Sequence, residues 1–444
     1  MLEISDYRLG EQLGRSTISN WRIAETHLVD HFIRVGFPVR IESRHEVGQL
    51  LDTMQEKRFE RFMTELGGLT AAEADSLTDA LASSVKFQMA HLPRRKPCVP
   101  FSTMLSSLVL YKKIVGFKPA VESVLEVGPG CGYLSHFLAP HETLRDYSQV
   151  EACESFHVLQ SMVNSYLFGQ EFRDLAFTDA ADRALHIHRD LEQPVVLTEA
   201  ETPAYRCFHY PWWTLGKLHE GIGKYDVVTS NANLNEFTRN ALYEYLTIFS
   251  RVLKDDGIFL IQCTGFPAHG STEDLMEVLH KFGFASLFCG MADENVLPGM
   301  VVTRQYRSLG FHRKRFALNN LLLVKDGHPH YKANVGLKNY SHGFASDYPR
   351  LSYIYEGGTG EVPTDSRRAY SIDEILKAVR AKLLQGSAPG GYFSSRGTTP
   401  WDSARSDVAQ AQSPQPNHLA GTVSALRSTA LRPFGRYLSD FVRG

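Results

Sequence analysis

Apolar and polar positions along this chain fall into blocks of different period. From Arg44 to Leu66, apolar residues recur at Val47, Leu50, Leu51, Met54, Phe59, Phe62, Met63 and Leu66 among charges, the spacing of a helix that Gly67-Gly68 ends. Thr70-Ala-Ala-Glu73 predicts a second helix opened by a capping box. Pro93 to Pro100 reads as a linker, and Ser102 as the cap of an apolar helix running to Val115 and Gly116. Residues 1–100 therefore read as a helical region. Beyond it the period shortens: Ser123–Val127, Tyr147–Glu151, Lys224–Asn231 and Gly257–Cys263 are strand-like runs with room for a helix between each pair, and Phe316–Val324 is a last apolar run of strand length. Strands alternating with helices predict an α/β fold, a doubly wound and mostly parallel sheet over residues 101–326. Residues 327–386 form an extension with one helix, Ser371 to Gln385, capped by Ser371 and Glu374 at one end and Gly386 at the other. Residues 387–421 are rich in Ser, Pro, Gly, Gln and Ala and read as a flexible linker. In 422–444, Leu426, Leu431, Phe434, Tyr437, Leu438 and Phe441 return among arginines, an amphipathic segment suited to docking on the chain itself, on a partner or on anionic lipid.

The first strand run carries the most chemistry. Ser123-Val-Leu-Glu-Val-Gly-Pro-Gly-Cys-Gly-Tyr133 ends in Glu-x-Gly-x-Gly-x-Gly, a strand that turns tightly where Gly128, Gly130 and Gly132 allow close approach of a ligand. The dinucleotide pattern needs glycine at 133 or 135, where Tyr133 and Ser135 stand, and no Gly-Lys-Ser/Thr follows. The pattern points to S-adenosylmethionine (SAM), with Glu126 on the amino end of its methionine; the competing reading is a glycine turn in an ordinary α/β unit. The second run ends in Glu151, a carboxylate placed to accept hydrogen bonds from ribose hydroxyls. Tyr210 and Asn231 complete the cofactor set.

Over roughly Ser102 to Val324 the chain resembles the bacterial sugar O-methyltransferase family, of the class I SAM-dependent fold. The resemblance rests on Tyr147-Ser-Gln-Val-Glu-Ala-Cys-Glu154 followed by Gln160 and Tyr166-Leu167, on Asp226-Val-Val-Thr-Ser-Asn-Ala-Asn-Leu-Asn-Glu236-Phe237, and on the helix and strand from Tyr245 to Phe259. Glu151 stands where the family has Asp, Ala152-Cys153 where it has Leu-Pro, and Phe237 where it has Met. The likeness implies a seven-stranded Rossmann-like sheet closed by an antiparallel strand, SAM as cofactor, and methylation of a hydroxyl on a sugar, nucleotide-sugar or other polyhydroxylated small molecule. Methylation of a peptide or secondary metabolite, and a SAM-binding but silent assembly partner, are the alternatives.

A sugar hydroxyl is a weak acid, so a base within hydrogen-bond reach speeds its methylation. Glu236, after the fourth strand run, is the first candidate, with a first-turn helix carboxylate as its structural alternative. Asn231, Asn233 and Asn235 beside it suit either sugar hydroxyls or turn geometry. Cys207-Phe-His209-Tyr-Pro-Trp212-Trp213 is expected after a strand, where this class holds adenine, with aromatic rings suited to stacking on the base or a sugar face, His209 a reserve base and Trp213 better suited to core packing. His269 is a second reserve base, His136 a packing residue, and Phe311-His-Arg-Lys-Arg315 a basic cluster suited to solvent or to a phosphate.

Composition narrows the partners. Of 444 residues, 43% are hydrophobic and 22% charged, with a net charge of -2, which gives no footing for nucleic acid. The cysteines at 98, 131, 153, 207, 263 and 289 form no C-x-x-C pair, no His/Cys/Asp/Glu set has metal spacing, and neither a signal peptide nor an 18-residue apolar run is seen. A cytoplasmic enzyme without a metal and without a transmembrane segment is expected.

Overall fold

A computed structural model describes residues 2–17, 39–55, 58–65, 68–92, 96–176, 205–231, 233–234, 237, 239–262, 272–290, 320–325, 327–328, 332–333, 342–343 and 367–385. The first helix, α1 (Ile4–Thr17), is followed by α2 (Arg44–Thr53) and α3 (Phe59–Glu65). Here the sequence reading is corrected: the helix expected across 44–66 is two. The Gln55 side chain turns back to the Leu51 carbonyl at 2.7 Å, and the Arg58 N–H donates to the Ser102 hydroxyl at 3.0 Å. That bond also takes Ser102 out of its expected capping role, and Pro100 is the residue preceding α5 (Phe101–Phe117). The capping box at Thr70 and Glu73 is present and opens α4 (Ala71–His91).

Among the described residues, the main sheet has eight strands in the order β3-β4-β2-β1-β5-β6-β8-β7. They are β1 (Ser123–Val127), β2 (Asp146–Glu151), β3 (Phe172–Asp174), β4 (Cys207–Pro211), β5 (Tyr225–Asn231), β6 (Leu253–Gln262), β7 (Phe284–Gly290) and β8 (Asn320–Lys325). Every pairing is parallel except those of β8, which runs antiparallel between β6 and β7. The closing antiparallel strand is therefore present, but the sheet exceeds the seven strands implied by the resemblance. The edge strand at 172–174 is only three residues long, and neither it nor the run at 207–211 shows an alternation that marks a strand. β1 is buried at every position, the signature of a parallel strand covered on both faces.

Alternation within the strands sorts the core. Leu125, Val127, Val150, Val228, Phe259 and Ile261 face α8 (Arg239–Val252) and α9 (Thr272–Lys281). Val124, Tyr147, Val227, Ile258 and Leu260 face α5 and the single turn α6 (Ser135–Leu138). The edge of that second face, over β2, β4 and β3, is covered by α7 (Glu154–Phe168). One further cluster joins α1–α5, α7 and α10 (Ile372–Gln385), so the N-terminal helices share a core with the sheet domain. Among the described residues, no helix is long and apolar enough to cross a membrane.

Candidate functional site

The carboxyl ends of β1 and β2 sit side by side, with Val127 opposite Val150, and the glycine turn leaves from there. Gly128, Gly130 and Gly132 all have positive φ (66°, 59° and 73°). Two of them differ in what lies beside them. A Cβ on Gly128 would fall 1.9 Å from the Asn233 amide nitrogen, which donates to the Val127 carbonyl at 2.7 Å and so ties the loop after β5 to the turn. A Cβ on Gly130 would meet nothing within 4 Å among the described residues. The turn is thus packed on one side and open on the other, the shape a backbone cradle for a ligand needs. The helix after it is one turn long, because i→i+3 bonds tighten residues 132–137 and Pro140 follows.

Glu126 points inward beneath α6 and α7. Its Oε2 accepts from the Tyr147 hydroxyl and from Gln149 Nε2, the latter at 3.1 Å. Burial raises its pKa to about 7, against the pull of those two donors. Glu151, at the end of β2, is likewise buried: one oxygen accepts from the backbone N–H groups of Ala152 and Cys153 at 2.8 and 2.9 Å, the other from Gln160 Nε2 at 2.9 Å. Burial raises its pKa as well, opposed by those donors.

Sequence reasoning missed a polar cluster beneath the same corner. His157, Gln160, Ser161 and Asn164 form a buried stripe along α7; their spacing of three, one and three residues was the signal that marked it. Gln160 Nε2 also donates to the Gly130 carbonyl at 2.7 Å, and its Oε1 lies 2.9 Å from His209 Nε2. His209 Nδ1 lies 3.0 Å from the Ser161 hydroxyl, which also bonds Asp174. His157 Nε2 lies 3.2 Å from Asp174, and the two imidazoles stack 3.7 Å apart at 8°. Burial works to raise the Asp174 pKa, but His157, His209 and Ser161 hold it at about 2. Burial and the neighbouring His157 push the His209 pKa well below its ordinary value, against the pull of Asp174. Although His157, Asp174 and His209 lie close enough to share an ion, the lone pairs of cofacial rings run along parallel planes and do not converge on one metal.

The remaining sequence candidates divide. His209 is corrected as a base: it lies within β4 rather than in a loop, is fully buried, and uses both ring nitrogens inside the protein. Tyr210 faces the opposite side of β4, buried in the core over α8, with burial pushing its pKa up to about 12. Asn231 ends β5 half-buried. Trp213 packs against Tyr7 and Trp212. His136 is buried and bonded to Ser83 at 3.0 Å, its pKa lowered to about 3 by burial. Glu236, Asn235, His269, the 311–315 cluster and the 422–444 segment lie outside the described residues.

An N-terminal arm closes this corner. Arg8 and Arg40 both pair with Glu154 at the start of α7, at 3.0 and 2.6 Å, and Arg40 also holds Glu11. Beneath the arm, Tyr7 Oη, Ser155 Oγ, His157 Nδ1 and Trp213 Nε1 are buried and have no hydrogen-bond partner among the described residues. Tyr7 lies 5.0 Å from the His157 ring and 4.8 Å from that of Trp213. Such groups call for a polar ligand or ordered water. With the open side of Gly130 and the carboxylates at 126 and 151, they fit the polar edges of a nucleoside bearing an amino acid.

No protein-family model and no curated protein matches the chain. Among solved structures it is similar to a TehB-like SAM-dependent methyltransferase from Corynebacterium glutamicum, at 11% identity over 49% of this chain and 89% of that one, with a TM-score of 0.28. It is similar to SAM-bound CalS10, an amino pentose methyltransferase from Micromonospora echinaspora, at 15% identity over 42% and 58% of the two chains, with a TM-score of 0.24. A third is the [4+2]-cyclase SpnF, at 15% identity over 44% and 60%, with a TM-score of 0.25. The chain spans less than two thirds of the length of CalS10 and SpnF. At these scores the likenesses carry no conclusion about this chain's activity.

Proposed function

We propose that this chain is a SAM-dependent methyltransferase acting on a hydroxyl of a sugar or another polyhydroxylated small molecule. The observation that supports it is the glycine turn, open beside Gly130 and flanked by Glu126 and Glu151 at the carboxyl edge of two adjacent parallel strands. When bound, SAM supplies a methyl group on a sulfonium whose departure needs no acid. The chain's task is then to align the acceptor, exclude water and take the hydroxyl proton. Glu126 holds the ammonium end of the methionine and Glu151 the ribose hydroxyls, while the unpartnered groups under the N-terminal arm offer hydrogen bonds to the base. Glu236 would take the acceptor's proton, with His269 the next base to test. The class of acceptor rests on the resemblance over Ser102 to Val324.

Calorimetric titration with SAM and S-adenosylhomocysteine (SAH) tests the reading, followed by a methyl-transfer screen over sugars and nucleotide-sugars. Saturable binding of both and transfer to a hydroxyl are expected. No binding of either would overturn the proposal, whereas binding without turnover would leave a silent SAM-binding protein.

A further inference from the structure

The donor and acceptor inventory beneath the glycine turn fixes the direction of every hydrogen bond through Gln160. Its amide nitrogen faces the Gly130 carbonyl at 2.7 Å and the Glu151 carboxylate at 2.9 Å, both pure acceptors, so the two N–H bonds are spent there and the orientation is settled. Its oxygen must then accept, and the atom facing it at 2.9 Å is His209 Nε2. His209 therefore carries a proton on Nε2. Its Nδ1 turns to the Ser161 hydroxyl, which Asp174 also contacts. The chain of contacts runs from β3 through β4 and α7 to the glycine turn, and all of its side chains are buried.

We infer that Gln160 is the positioning residue of the cofactor cradle and that His209 holds Gln160 in its working orientation. Among the described residues, Gln160 is the side chain that joins the carbonyl of the open glycine to the carboxylate assigned to ribose, so it sets the spacing between the two halves of the site. The role rests on the SAM reading for the identity of the ligand, but the ordering of the turn does not. A reversed Gln160 amide would set its oxygen against two acceptors, and His209 prevents that by presenting a donor. This accounts for a buried polar stripe on a helix that also buries Phe156, Val158, Leu159, Met162 and Val163, and for a histidine within hydrogen-bond reach of a glutamine that never meets solvent.

The test compares Gln160→Met, His209→Met and His209→Gln in the full chain. Methionine keeps the length of glutamine without its donors, whereas His209→Gln places an amide N–H near the position of Nε2. Two readouts are needed: SAH affinity by calorimetry, and amide hydrogen exchange across residues 128–134 in the ligand-free protein. Gln160→Met and His209→Met are expected to weaken SAH about tenfold, the scale of one hydrogen bond to a charged group, and to speed exchange in the turn. His209→Gln is expected to restore both, which a purely space-filling role would not do. Wild-type affinity and exchange in Gln160→Met would overturn the inference, as would equal losses in the two His209 variants. Should the wild-type protein fail to bind SAH, the SAM reading falls, and the exchange comparison still decides whether Gln160 orders the turn. Should a methionine variant fail to fold, His209→Gln decides alone: retained exchange protection supports the inference and lost protection overturns it.

Discussion

Replacing Glu126 with glutamine is expected to stabilise the protein at alkaline pH and to leave it unchanged in acid. The carboxyl is 3% exposed and its pKa is raised by burial from 4.5 to about 7. A folded-state pKa above the unfolded one means that the protonated form fits the fold, so its stability is fully present below pH 4.5 and is lost as pH rises through 7. At 1.36 kcal/mol per unit, the whole loss is about 3 kcal/mol, of which about 2.5 kcal/mol falls between pH 5 and pH 8. Glutamine keeps an oxygen to accept from Tyr147 and Gln149 but carries no charge to bury. Urea unfolding of both proteins at pH 5, 6, 7 and 8 measures the difference directly. The variant should gain on the wild type across that range. Parallel stability curves, or a wild type that gains on the variant with rising pH, would refute the assignment of Glu126 as a carboxyl held near neutrality by burial.

Three further outcomes follow from the site. If Glu126 meets the ligand's ammonium, SAH binding at pH 7 releases about half a proton, because a group at its pKa is half protonated before the ammonium favours its ionised form; calorimetry in buffers of different ionisation enthalpy reads this, and zero release would remove the contact. Glu151→Ala should weaken SAH by about 1.5–3 kcal/mol, the range for hydrogen bonds to a charged group, and an unchanged dissociation constant would move the ribose contact elsewhere. Gly128→Ala and Gly130→Val should separate fold from site. The first forces a Cβ to 1.9 Å from Asn233 at positive φ and should lower stability by about 1–3 kcal/mol; the second points into open space, should cost about 1 kcal/mol for its φ, and should abolish SAH binding. Equal stability losses in the two would refute the picture of a turn packed on one side only.

The strands legible in the sequence were those that announce themselves by unbroken apolar runs. β1, β5 and β6 are covered on both faces over their apolar stretches, so runs such as Val124-Leu125 and Ile258-Phe259-Leu260-Ile261 mark them. β3 and β4 escaped because their inward positions are Asp174 and His209, residues that satisfy one another rather than an apolar helix. The same fact hid the cluster below the turn: hydropathy is blind to a polar core whose hydrogen bonds are internal. Glu126 and Glu151 were found as carboxylates at strand ends, but their neighbours Gln149 and Gln160 come from other elements, and only the fold brings them together. The break at Gln55 likewise depends on partners more than forty residues away, Cys98 and Ser102.

The pairing of α4 with α10 shapes how the protein is made. Arg367 holds Glu73 from 294 residues away, Leu69 and Arg368 share a backbone bridge, and Lys382 reaches Asp75 and Asp79. During synthesis at about 5–20 residues per second, α4 leaves the ribosome roughly 15–60 s before its partner exists. For that interval Leu77 and Leu81 lack the cover of Ile375 and Val379, which share their core cluster in the finished chain. A nascent chain halted before residue 367 should therefore bind chaperones that recognise apolar helix faces, and release them once α10 has been translated.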